Sequence, residues 1–79
     1  GDVMAKSPVM KTFGVNVELL LEERGWSKQD LAERVGMDRS SLSKIIRGLH
    51  SPSLVMVERI AKALRVEPFE LLQPRQLVG

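Results

Sequence analysis

The segment SKQDLAERVGMDRSSLSKIIRG, running from Ser27 to Gly48, restricts the fold more than any other part of the chain. It holds two helix starts only eleven residues apart, Ser27 and Asp38. Each is a residue whose side-chain oxygen can accept a free amide of the first helical turn. Each also follows an apolar residue, Trp26 or Met37, placed to pair across the start with Leu31 or Leu42 as a hydrophobic staple. Gly36 lies between the two helices, where a tight turn calls for a backbone conformation that a side chain would strain. The first of these helices is therefore barely two turns long, with an apolar stripe of Leu31, Ala32 and Val35. The second buries Leu42, Ile45 and Ile46. It turns Ser40, Ser43, Lys44 and Arg47 away, because at about 100° per residue the two sets fall on opposite faces.

The flanking sequence is helical too, and no stretch alternates in the manner of a strand. Residues 1–11 (GDVMAKSPVMK) have no usable period, and Ser7-Pro8 is expected to block a helix there. They read as a disordered arm or a vector remnant, with Met4 or Met10 as the natural initiator. A basic arm, with Lys6 and Lys11 on phosphates, is the functional alternative. The domain is expected over 12–73. Its opening helix should run from about Phe13 to Arg24, burying Phe13, Val17, Leu20 and Leu21, with Gly25 as a left-handed cap. After Gly48 a polar loop leads to a helix starting at Ser51 or Ser53 and reaching Leu64. Leu54, Val57, Ile60, Ala61 and Leu64 form its core stripe, and Glu58 can pair with Lys62. Pro68 opens a short helix from Phe69 to Leu72. Residues 74–79 read as a loose tail. The fold class is all-α, with five helices.

Bulk charge says little, since the net charge is +2. Its distribution says more. Residues 16–26 carry Glu18, Glu22 and Glu23 against Arg24, whereas 39–47 carry Arg39, Lys44 and Arg47 without an acid. A short helix that is basic and hydroxyl-rich on its outer face, propped on a small partner helix, has the size and chemistry to enter a DNA major groove. Other classes find no support. There are no cysteines for thiolate metal sites or nucleophiles, which fits a reducing cytoplasm. The longest aliphatic run, Leu19-Leu20-Leu21, is far too short for a membrane span. With no paired carboxylates, nucleophile–base set or phosphate loop, neither an enzyme nor a cofactor or metal site is expected. His50 is a lone loop histidine, and Trp26 belongs to the core by its staple position. Val55 should point away from the core, as a stray aliphatic or part of a partner surface.

From Phe13 to Leu72 the chain resembles the Cro/phage-repressor, or XRE-like, helix-turn-helix family. The match runs through GWSKQDLAERVGMDRSSLSKIIRG, then SPSL, IAKALRV and FELL, with Ala32, Gly36, Leu42 and Ile45 at the family's spacings. The resemblance implies a lambda-repressor-like five-helix domain whose third helix, about 38–47, enters the major groove. It implies base contacts from Arg39, Ser40, Ser43 and Lys44, and phosphate contacts from Lys28, Gln29 and Arg47. Many members carry an arginine at the position of Leu21 and a glutamate at that of Ile46. Here the pair has been exchanged together for aliphatics, which leaves the fold expectation intact. Leu49 stands where members often have a basic or polar residue, which weakens the loop's grip on phosphate. The implied function is that of a prokaryotic or phage transcriptional regulator, most simply a repressor. It would act in the cytoplasm and, once bound, on the nucleoid. The implied partner is double-stranded DNA with an inverted-repeat operator, bound by a homodimer that is a monomer or weak dimer when free. An antitoxin with a toxin protein as partner, or a protein-interaction module, stays open beside it.

Overall fold

The computed structural model describes residues 7–75. Five helices follow one another: α1 (Pro8–Arg24), α2 (Lys28–Val35), α3 (Arg39–Ile46), α4 (Leu54–Leu64) and α5 (Pro68–Leu72). Met4, Lys6 and the terminal residues 76–79 lie outside the described residues, and so do the expectations that concern them.

Ser7-Pro8 starts α1 instead of blocking it, five residues ahead of the expected start at Phe13. A proline pushes the residue before it into extended backbone, and Ser7 sits there at φ −67°, ψ 149°. That is also the conformation an N-cap needs. The Ser7 hydroxyl accepts the Met10 amide at 3.0 Å, and Pro8 occupies the first helical position, where its missing N–H costs nothing. Residues 8–11 are thus helix and not a structureless arm.

The middle of the chain follows its local signals. Gly25 and Gly36 close α1 and α2 in left-handed conformations, at φ 70° and 86°. Ser27 and Asp30 form a reciprocal capping box, and Asp38 accepts the Ser41 amide at 2.9 Å. α4 is capped by Ser53, not Ser51, and it ends on Arg65 in the left-handed region, at φ 62°, where a glycine is the usual choice. Leu54 is 82% exposed and does not join the core stripe of α4. Side chains on a helix lean toward its N-terminus, so from the first position Leu54 reaches past the end of its own helix. Glu58 and Lys62 form no ion pair either.

One core joins all five helices: Phe13, Val17, Leu20 and Leu21 from α1, Leu31, Ala32 and Val35 from α2, Leu42, Ile45 and Ile46 from α3, Val57, Ile60, Ala61 and Leu64 from α4, and Leu71 from α5. Trp26, Met37 and Met56 pack on its margin. Leu21 and Ile46 are both buried, in keeping with an aliphatic exchange at that seam. α1 approaches α3 so closely at Gly14 that a Cβ there would run into the carbonyl group of Ile46.

Side chains from other helices also terminate three of the helices. Asn16, buried on α1, donates Nδ2 to the carbonyls of Glu70 (3.2 Å), Leu71 (2.9 Å) and Gln73 (2.7 Å) at the end of α5. Arg24 donates to the Leu64 carbonyl at the end of α4, and Arg59 donates to the Val35 carbonyl at the end of α2 at 2.8 Å. These bonds satisfy carbonyls that a helix end leaves without partners. They hold α2, α4 and α5 in fixed relation to one another, and the position of α3 follows from that frame.

Candidate nucleic-acid interface

α3 is pinned from beneath by Leu42, Ile45 and Ile46, all buried, so its outer side has a fixed orientation. Arg39, Ser40 and Lys44 are exposed on that side, with Ser43 half-buried beside them. The four residues expected to read bases therefore share one face. Ser41 does not join them. Its hydroxyl donates to Asp38 Oδ1 at 2.9 Å while its amide donates to Oδ2, so the side chain serves the cap. The Ser41 amide, and after it the hydroxyl, hold the Asp38 carboxyl below the usual carboxylate range. Asp38 is thus ionised at neutral pH, leaving one fixed negative charge at the start of an otherwise basic helix.

Arg47 caps the far end of α3 in right-handed geometry and is exposed. Beyond it, the Leu49 and His50 amides fold back on the Lys44 carbonyl at 2.8 and 3.4 Å. The loop then presents Leu49, 52% exposed, an apolar side chain at the position where the family resemblance calls for a basic or polar one. Among the described residues, none of Arg39, Lys44 and Arg47 forms an ion pair with a carboxylate.

The start of α2 is different. Its capping box consumes the Ser27 and Asp30 amides, at 2.8 and 3.1 Å. The Ser27 amide, and after it the hydroxyl, hold the Asp30 carboxyl below its usual range. The amides of Lys28 and Gln29 have no acceptor among the described residues, which leaves them available to an anion at the positive end of the helix dipole. The side chains of the same two residues are already engaged. Lys28 Nζ lies 3.5 Å from Glu18 Oε2 on α1, and Gln29 Nε2 donates to Glu33 Oε2 at 3.0 Å. The Gln29–Glu33 pair is readable from its i,i+4 spacing. The Lys28–Glu18 pair depends on how α1 lies against the start of α2, which no local spacing reveals. The same holds for Trp26, whose ring carries the Arg34 guanidinium 3.9 Å from its centroid, a cation–π contact.

Taken together, the surface offers an exposed basic ridge along α3 and two unoccupied amides at the start of α2. A ridge of this kind can hydrogen-bond base edges, and free amides at a helix start can hold a phosphate. Residues 17–71 match a family model described as Helix-turn-helix. A hypothetical transcription factor of Neisseria meningitidis is 36% identical over 61 residues, which span 77% of this chain and 58% of that protein, less than two thirds of its length. The crystal structure of the hypothetical transcription factor NHTF from Neisseria superposes with a TM-score of 0.83 at 30% identity, over 91% of this chain and 83% of that one. The restriction-modification controller protein C.AhdI from Aeromonas hydrophila superposes with a TM-score of 0.75 at 37% identity, over 78% and 94% of the respective chains.

Proposed function

This chain belongs to the helix-turn-helix family of DNA-binding transcriptional regulators, and from that premise we propose that it is a repressor that occludes a promoter by placing α3 in the major groove of its operator. The observation that carries the reading is the shared exposed face of Arg39, Ser40, Ser43 and Lys44 on a helix whose opposite side is locked into the core. Lys44, mid-face, reaches guanine O6 or N7, and the arginine and serines contact neighbouring base edges or phosphates. Lys28 and Gln29 with their free amides, and Arg47 at the other end of the face, grip the backbone on either side and set the register.

One α3 covers only a few base pairs, too few to single out a site in a genome. Two copies related by a two-fold axis multiply the discrimination, and their helices must enter one side of the duplex about 34–36 Å apart. The operator is therefore an inverted repeat. Among the described residues, Leu49, Leu54, Val55 and Phe69 are the large exposed apolar side chains outside α1 from which a pairing surface can be drawn. So few residues make less than a standard interface, so the free protein is a monomer or weak dimer and DNA completes the assembly.

Selection of bound DNA from a random pool, followed by footprinting and sedimentation on the enriched sequence, tests this. The expected result is an inverted repeat holding two protomers. No enrichment, or one protein protecting a single half-site, overturns it.

A further inference from the structure

The two side chains at the start of α2 that would meet a phosphate are both held by carboxylates, in contrast to the cations of α3. The Lys28–Glu18 pair is the more telling, because it joins two helices. The Lys28 side chain is 27% exposed and that of Glu18 is 55% exposed, so much of the lysine lies against the protein while the carboxylate that meets its ammonium stands on the surface. Glu22, one turn on from Glu18, borders the same surface depression, together with Trp26 and Lys28. Glu18 is thus the carboxylate of α1 that meets the one cation of this helix start, with Glu22 bordering the same depression.

Resting on the DNA-binding reading above, we infer that Glu18 is a positioning residue that restrains the phosphate grip of α2 by holding Lys28. A phosphate arriving at the Lys28 and Gln29 amides gains the Lys28 ammonium only by exchanging one ion pair for another. Arg39, Lys44 and Arg47 reach DNA without such an exchange. The affinity for bare backbone is consequently held down at α2, and a stable complex depends on what α3 finds in the groove. Because the exchange involves phosphate alone, it scales binding to every sequence by the same factor. It also removes part of the salt dependence, since a lysine still shared with a carboxylate neutralises less of the phosphate charge.

The test compares the full chain with Glu18→Gln, Lys28→Ala and the double variant, on the selected site and on an unrelated duplex, by anisotropy across a salt series. Glu18→Gln should tighten binding to both duplexes by roughly two- to fivefold at low salt, the equilibrium equivalent of an exposed ion pair. It should also steepen the log–log salt slope by up to about 0.9. The gain should vanish when Lys28 is also alanine. Wild-type affinity and slope in Glu18→Gln would overturn the inference. So would a gain that persists without Lys28, because Glu18 would then be repelling DNA directly. A wild-type chain that binds neither duplex overturns the DNA-binding reading itself, and this inference with it.

Discussion

Gly14→Ala places one methyl group where α1 and α3 touch backbone to backbone. The added Cβ would stand 3.1 Å from the Ile46 carbonyl carbon and closer still to its oxygen, inside any distance that real Cβ atoms adopt. Neither atom belongs to a flexible side chain, so the helices themselves must part. A separation of about 1 Å forfeits roughly half of the dispersion energy across the seam. Overpacking of this kind costs about 1–3 kcal/mol, and a clash with backbone belongs at the upper end. Against it stands the helix propensity of alanine over glycine, about 1 kcal/mol. The net destabilisation is therefore about 2 kcal/mol, a substantial part of the roughly 4–12 kcal/mol expected for a domain of this length. Urea titrations followed by far-UV circular dichroism and by fluorescence of the single tryptophan, Trp26, measure it directly. The corresponding drop in melting temperature is roughly 8–16 °C. A Gly14→Ala protein as stable as the wild type, or more so, would mean that propensity outweighs contact and that α1 and α3 are not in backbone contact at this point.

Asn16→Leu keeps the branching and the number of side-chain heavy atoms but leaves the carbonyls of Glu70, Leu71 and Gln73 without their donor, at a cost of about 2–3 kcal/mol; an unchanged urea midpoint would deny Asn16 that role. Arg65→Gly removes a side chain from left-handed backbone and should raise stability by about 0.5–1 kcal/mol after the added chain entropy of glycine, as read from the same titrations. The carboxyls of Asp30 and Asp38 both titrate below their usual value of 3.8 in the folded chain, so the stability they supply is present above that pH and is lost as pH falls through the lower folded values. Urea midpoints should hold from neutral pH down to about pH 4 and then decline, with a shallower decline in Asp38→Asn; an identical acid profile in that variant would contradict the account of the cap.

What the sequence discloses here is whatever acts within one turn. Ser27, Asp38, Gly25 and Gly36 each work through an amide or a conformation no more than four residues away, and the boundaries of α2 and α3 are legible from them. The exposure of Arg39, Ser40 and Lys44 is legible for the same reason, since it follows from the helical period and the burial of Leu42, Ile45 and Ile46. Ser7-Pro8 carried its signal openly as well. The rule that bars helix before proline is the rule that makes Ser7 an N-cap. The remaining features depend on distant partners. Asn16 meets carbonyls more than fifty residues away, at separations of 54 to 57 positions. Gly14 looks like a weak spot in a helix until α3 is laid against it. Lys28 reads as a free cation until Glu18 is brought beside it. Leu54 keeps perfect core spacing, yet its place at the first position of α4 leaves nothing for it to pack upon.

The claim that the outer face of α3 reads bases is tested most directly by Lys44→Ala, measured against a panel of every single-base variant of the selected operator. If Lys44 reaches a base edge, the variant loses roughly 1–3 kcal/mol on the best site and becomes indifferent to the base at one position in each half-site, while discrimination elsewhere is retained. If instead affinity falls by one uniform factor across the whole panel, Lys44 contacts phosphate alone, and the assignment of the reading face to α3 as described is wrong.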